Sequence, residues 1–448
     1  MQMHILAFLF FSIIHISQGI KKKGKKMKKN IIPIFMLVVI FTSVCFSSGI
    51  AADDTVKIGV VYPLSGNQAL TGFEYRAGCE LAEEIINNEH PEWAPLKFAE
   101  TAGIPALNGK KIEIVYGDSQ ATPERGQNEA ERLITQEGVV ALIGAFNSSV
   151  STTASQVAER YGIPFICDSA SSPTLTSRGF QYFFRVFGND AIFVENLFTA
   201  MREEAGKDTS REYKTVMVLN ENSLWGSDVA DIAKLVAPKY GFEVIDQISY
   251  PSTTTQVNSE VQRVIAKDPD ILFQASYVAD AMLFMRTFKE QKYTPKMYVY
   301  ADGKPLNFSY RETLGPDGWW TVFRTVYSKK DAPFVKPITE DYFAEHYPDL
   351  KFNENQGSVI TSVQVLVDAI NRAGTTDPEK LREAVTQTDI KGEEIILPFA
   401  GVQFDETGHN ILDRAIVVQA QEDLKFVNLW PSEMKNGDYV PYPSWEER

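Results

Sequence analysis

From Val56 to Asp302 short apolar runs alternate with segments of helical period, and this alternation restricts the fold more than any other feature of the 448-residue chain. "VKIGVVY" (Val56–Tyr62) precedes "FEYRAGCELAEEIINN", in which Ala77, Leu81 and Ile85 fall four apart on one helix face. "KIEIVYGD" precedes a helical pattern over Thr122–Glu137, and "VVALIGAF" precedes another over Ser149–Tyr161, which "IPFICDS" follows. After "QYFFRVF" the rhythm restarts with helical Asp190–Glu204, then "TVMVLN", Trp225–Tyr240, "FEVIDQISY", Thr255–Lys267, "DILFQAS", Ala279–Gln291 and "KMYVYAD". Strands alternating with helices predict an α/β protein with parallel sheets, and two doubly wound sheets in succession fit better than a barrel. The tail differs: helical stretches near Pro333–His346, Gln356–Ala373 and Asp377–Gln387 precede two further apolar runs, "VQFD" and "AIVVQAQ".

Residues 1–51 read as a leader outside the fold. A basic stretch, "KKKGKKMKKN" (Lys21–Asn30), is followed by "IIPIFMLVVIFTSV", too short for a comfortable membrane span, and then by small residues around "GIAA". Met27, followed by two lysines, makes a better signal start than Met1, and cleavage near Gly49–Ala51 leaves a mature chain from about Ala52. The expected location is periplasmic or extracytoplasmic. Cys45 is the candidate for lipid anchoring, although Val44 before it is larger than the residue such sites carry. About 400 residues remain, more than one core usually supports, so two domains are expected.

Seven of the 44 bases lie in residues 1–52, which hold none of the 58 acids. The remainder is strongly acidic, which argues against a nucleic-acid partner, since phosphates need a basic patch. Cys79 and Cys167 stay open between one disulfide and two buried thiols. No nucleophile elbow, P-loop, dinucleotide fingerprint or zinc motif occurs. His90, His346 and His409 are far apart in sequence and read as surface residues, so a serine nucleophile has no base in view. No spacing suggests a metal site, and no cofactor is expected.

What remains is a set of polar residues at the carboxyl ends of predicted strands, where open α/β sheets bind ligands. "VVALIGAF" leads into Asn147 and Ser148, "IPFICD" into Ser169 and Ser171, "DILFQAS" into Tyr277, and "KMYVYA" into Asp302. Serines there serve equally as helix caps. Hydroxyls and free N–H groups at a helix N-terminus also hold a carboxylate, and Asp302 adds the opposite sign, a combination suited to an amino-acid zwitterion.

The stretches "VKIGVVYPLSGNQALTGFEYRAGCELAEEIIN", "KIEIVYGDSQATPERGQNEAERLI" and "VVALIGAFNSSVSTTASQVAERYGIPFICDSASSPTLT" resemble the leucine/isoleucine/valine-binding protein family, the type I periplasmic binding proteins of ABC transporters. The resemblance implies two lobes joined by three crossings near Val186, Val326 and Leu397. One lobe then spans 55–186 plus 327–397, and the other 187–326 plus 398–435. It implies that Ser148 holds the ligand carboxylate, that Ser169 turns its carbonyl to the ammonium, and that Ser171 replaces a threonine touching both. Tyr277 matches a tyrosine at the pocket mouth and Trp225 an aromatic cover. Asp302 stands where the family has a glutamate for the ammonium, one methylene longer. The pocket wall is expected from Leu70, Phe73, Phe146, Trp225 and Tyr277. The implied protein is a monomeric, non-enzymatic binder of an amino acid or small carboxylate, with a membrane permease as partner. A sensor of the same fold and a secreted hydrolase are the alternatives.

Overall fold

A computed structural model describes residues 55–207, 211–328 and 330–447. The expected leader, its cleavage point and Cys45 lie outside the described residues. The first half of the chain alternates β1 (Thr55–Tyr62), α1 (Ala69–Asn87), β2 (Lys111–Asp118), α2 (Pro123–Arg132), β3 (Leu142–Gly144), α3 (Ser148–Tyr161), β4 (Phe165–Cys167) and β5 (Phe183–Arg185). These strands form one five-stranded parallel sheet in the order β2-β1-β3-β4-β5. Its side chains alternate between two buried faces: Ile143 and Ile166 enter one core, Leu142 and Phe165 the other. Sheets covered on both faces read as continuous apolar runs for this reason.

The second sheet follows from α4 (Asp190–Ala205), β6 (Thr215–Glu221), α5 (Leu224–Val236), β7 (Glu243–Tyr250), α6 (Asn258–Lys267), β8 (Ile271–Ala275), α7 (Val278–Glu290), β9 (Met297–Tyr300), α8 (Phe308–Leu314) and β10 (Val322–Thr325). Val216 and Val218 face one core, Met217 and Leu219 the other. The chain then passes through α9 (Phe343–His346), α10 (Glu354–Ala373) and α11 (Pro378–Thr386), and α10 packs into the first core through Val359, Val363 and Ile370. The second sheet closes with β13 (Ile416–Ala420) and β14 (Phe426–Trp430) in the order β14-β13-β10-β9-β8-β6-β7. β13 runs antiparallel to both of its neighbours, β10 and β14, a departure from the parallel sheet expected.

The third crossing is displaced from the expected one. β11 (Asp389–Lys391) and β12 (Gly401–Gln403) form their own antiparallel pair, and Leu397, Val402, Phe404 and Ala415 are all in the first core. Residues 398–415, assigned from sequence to the second lobe, therefore pack with the first, and Ile416 is where the second sheet resumes. The second lobe also extends past 435, because Tyr442 is in its core and Trp445 Nε1 donates to Tyr293 O at 2.7 Å. His409 is buried rather than superficial, and Cys79 and Cys167 are buried free thiols. No described helix is long and apolar enough to cross a membrane.

Candidate functional site

Residues following strand ends of both sheets meet around a cavity of about 40 Å³. Phe146, Ser169 and Ser171 reach it from the first lobe, and Trp225, Tyr277 and Asp302 from the second. Each was expected at the site. Tyr75, Phe187, Arg324, Glu354 and Asn355 complete the lining and were not. A water occupies about 30 Å³ in the liquid, so the lobes must part before anything the size of an amino acid enters. A larger hollow of about 930 Å³, between Tyr327, Arg414 and Phe426, is lined by none of the residues expected at the site.

On the first lobe, β3 ends at Gly144 and the chain turns through Phe146 before α3 begins. Phe146 adopts a left-handed φ of 67°, which costs a non-glycine residue about 1–3 kcal/mol and is found where surrounding structure holds it in place. Its ring sits 5.6 Å from Tyr75 and 5.7 Å from Tyr277, bridging the lobes. Below it Tyr62 Oη and Ser169 Oγ donate to the buried Asp168 at 2.6 and 2.9 Å, and burial pushes that carboxyl up to about 6. Asn147 and Ser148 are buried but do not line the cavity. Asn147 Nδ2 donates to Gln68 at 2.9 Å, and Ser148 Oγ accepts from Ser172 N at 3.3 Å. Leu70 and Phe73 are not brought to the site: at 56% and 49% exposed they lie on the outer face of α1, whereas Thr71 and Tyr75 face inward.

On the second lobe, Glu221 fixes the turn into α5 by accepting from Ser223 N at 2.7 Å, Ser223 Oγ at 2.6 Å and Gly226 N at 2.8 Å. Gly226 is required there, since a Cβ would fall 2.1 Å from Glu221 O. This turn delivers Trp225, whose Nε1 donates to Asp190 at 3.4 Å. Burial raises Asp190 to about 6, opposed by Arg324 nearby and by bonds from Ser171 and Trp225.

The charged groups are paired across short distances. Lys304, two residues after Asp302, is buried and ion-paired to it, with its ammonium 5.2 Å from the Trp225 ring and 5.7 Å from the Tyr277 ring. Burial pulls Lys304 below the ordinary lysine range, opposed by Asp280, which burial raises in turn. Arg324 lies 4.3 Å over Phe193 and 5.3 Å over Phe187; its Nε donates to Ala301 O at 3.1 Å and an η nitrogen to Glu354 at 3.4 Å. Glu354 also accepts from Thr325 Oγ1 and Val326 N, both at 3.0 Å. Glu74 of α1 accepts from Asn307 of the second lobe at 2.9 Å, and Ser172 Oγ donates to Asp228 of α5, so polar bonds hold the lobes together.

The result is an aromatic slot with serine hydroxyls on one side and paired charges on the other. Among the described residues no histidine lines it and no cluster of metal-ligating side chains occurs. Arg324 was signalled by a charge inside the apolar run "VFRTV", where an unpaired arginine is costly.

A family model described as periplasmic binding protein matches residues 55–425. A Leu/Ile/Val-binding protein homolog 7 from Brucella suis biovar 1 is 27% identical over 408 residues, covering 88% of this chain and 96% of that one. The leucine binding protein LivK from Thermotoga maritima has a similar structure, with TM-score 0.71, 21% identity, and 84% and 97% of the two chains covered. An ABC transporter solute binding protein from Rhodopseudomonas palustris BisB5, solved with 3,4-dihydroxy benzoic acid, gives TM-score 0.69 and 18% identity over 88% of this chain and all of that one. Matched over the greater part of its length, the chain belongs to the periplasmic binding protein family.

Proposed function

We propose that this protein is the extracytoplasmic binding component of an ABC importer, and that it captures a small carboxylate with an apolar body between its lobes, handing it unchanged to a membrane permease. The observation that carries the reading is the composition of the slot. Tyr75 and Phe146 from one lobe oppose Trp225 and Tyr277 from the other, with the Ser169 and Ser171 hydroxyls and the Arg324 guanidinium as the polar groups among them. Such a mostly aromatic lining with a few placed polar groups is the usual makeup of a small-molecule site. Leu/Ile/Val-binding relatives support an amino acid such as leucine, and the neighbour holding a dihydroxybenzoic acid supports an aromatic acid. The expected leader supports the location.

A thermal-shift screen of amino acids and small carboxylates on the purified protein tests this reading. A ligand at a hundred times its dissociation constant adds about 2.7 kcal/mol of stability, a shift of a few degrees. Mass spectrometry after long incubation should recover the ligand intact. A flat screen, or the appearance of products, would contradict the reading.

A further inference from the structure

Resting on that reading, we infer that the cleft selects acids lacking a free ammonium, with Lys304 standing as an internal cation on Asp302 and Arg324 receiving the ligand carboxylate. In the zwitterion reading Asp302 is the counter-charge for a ligand ammonium. That place is already taken: the Lys304 ammonium is bonded to Asp302 and lies against the faces of Trp225 and Tyr277, the arrangement of carboxylate and aromatic faces that holds a cation. Lys304 is 4% exposed, so this pair is part of the buried structure rather than a surface contact. A second ammonium brought to Asp302 would meet a like charge a few ångströms away.

The other lining carboxylate, Glu354, is also committed, accepting from Arg324, Thr325 Oγ1 and Val326 N. Among the described residues that line it, the cavity therefore offers a ligand no acid free of a cation. It does offer a guanidinium. Arg324 lines the cavity, lies against the mutually packed rings of Phe187 and Phe193, and spends only part of its fork of N–H donors on Ala301 O and Glu354. A planar donor fork held rigidly is the geometry that accepts a carboxylate in two parallel bonds. Once the lobes part, an apolar body can insert between Phe146 of the first and Trp225 and Tyr277 of the second, which pack on one another in the closed form.

Matched pairs that differ in the ammonium alone test the inference: L-leucine against 4-methylpentanoate, and L-phenylalanine against 3-phenylpropanoate, by calorimetry on the purified protein. The wild type should bind the ammonium-free member of a pair at least tenfold more tightly. Lys304→Met should move the ratio toward the amino acid by tenfold or more, while Lys304→Arg, which keeps the cation, should retain the wild-type preference. Arg324→Gln should weaken 3-phenylpropanoate by thirtyfold or more with its far-UV circular dichroism unchanged. Tighter binding of L-leucine than of 4-methylpentanoate by the wild type overturns the inference and leaves the importer reading standing; it needs no variant to fold. Binding of none of the four probes overturns both.

Discussion

The two lobes present different chemistry to the same cavity. The first, built on an all-parallel sheet, contributes neutral groups from its strand ends, Phe146, Ser169 and Ser171, with Tyr75 from α1, and one acid, Glu354 of α10, which Arg324 of the second lobe already pairs. The second contributes Asp302 and Arg324 beside Trp225 and Tyr277, with Lys304 behind them. Groups of these two kinds respond differently to the loss of a member. Hydroxyls and a helix N-terminus tolerate loss of one group because neighbours remain, whereas a buried ion pair loses its balance when one member goes. Charge selectivity should therefore be concentrated in the second lobe and shape in both.

The largest test of that contrast is Arg324→Ala. It removes a buried guanidinium that lies against two phenylalanines and leaves the mostly buried Glu354 without its cation, at about 3 kcal/mol of stability. Ser171→Ala, on the opposing face, should cost about 0.5–1.5 kcal/mol. Urea unfolding of the two variants measures both, and equal losses would erase the asymmetry.

Next in size is a pH effect confined to the first lobe's margin. His409 Nδ1 accepts from Arg185 Nε at 3.2 Å, and burial with the adjacent guanidinium pulls its pKa down to about 4. An unfolded chain protonates this histidine near pH 6.5, so between about 6.5 and 4 the unfolded state binds the proton that the folded state refuses. The contribution is full above pH 6.5 and is lost as pH falls toward 4, amounting to roughly 2–3 kcal/mol. Asp168, Asp190 and Asp413, each raised to about 6 by burial, act in the opposite sense, favouring the fold as pH falls below 6. Comparing wild type with His409→Gln by urea unfolding at pH 4.5 and 7.5 cancels those acids. The variant should be relatively more stable at the lower pH, and parallel profiles would remove His409 from the account.

The smallest effects belong to Leu70→Ala and Phe73→Ala on the outer face of α1. Both residues are exposed, so stability should change by no more than about 0.5 kcal/mol and ligand affinity should stay the same. A tenfold loss of affinity in either variant would place the α1 outer face in the binding surface.

How far the molecule was legible in its sequence follows the same divide. Strand ends are set by the alternation of apolar run and amphipathic segment, so Ser169, Ser171, Tyr277 and Asp302 could be read as neighbours from sequence alone; Trp225 came only through the family resemblance, and Asn147 and Ser148, read in the same way as the serines, do not line the cavity. Leu70 and Phe73 were misplaced because helix phase decides which residues turn inward, and Thr71 and Tyr75 occupy that phase. Lys304 went unread because "ADGKP" looks like a turn, and only the folded loop returns its side chain to Asp302. The third crossing was set too early because "GVQF" is apolar enough for a sheet strand. Its partner is instead the short strand β11, a pairing that no periodicity announces.

The most direct measurement is a crystal structure of the protein grown with 3-phenylpropanoate. The carboxylate should lie on Arg324, the ring between Phe146, Trp225 and Tyr277, and Lys304 should still be paired with Asp302. A ligand seated outside this cleft, or one whose carboxylate avoids Arg324 while Lys304 has left Asp302, would contradict this placement.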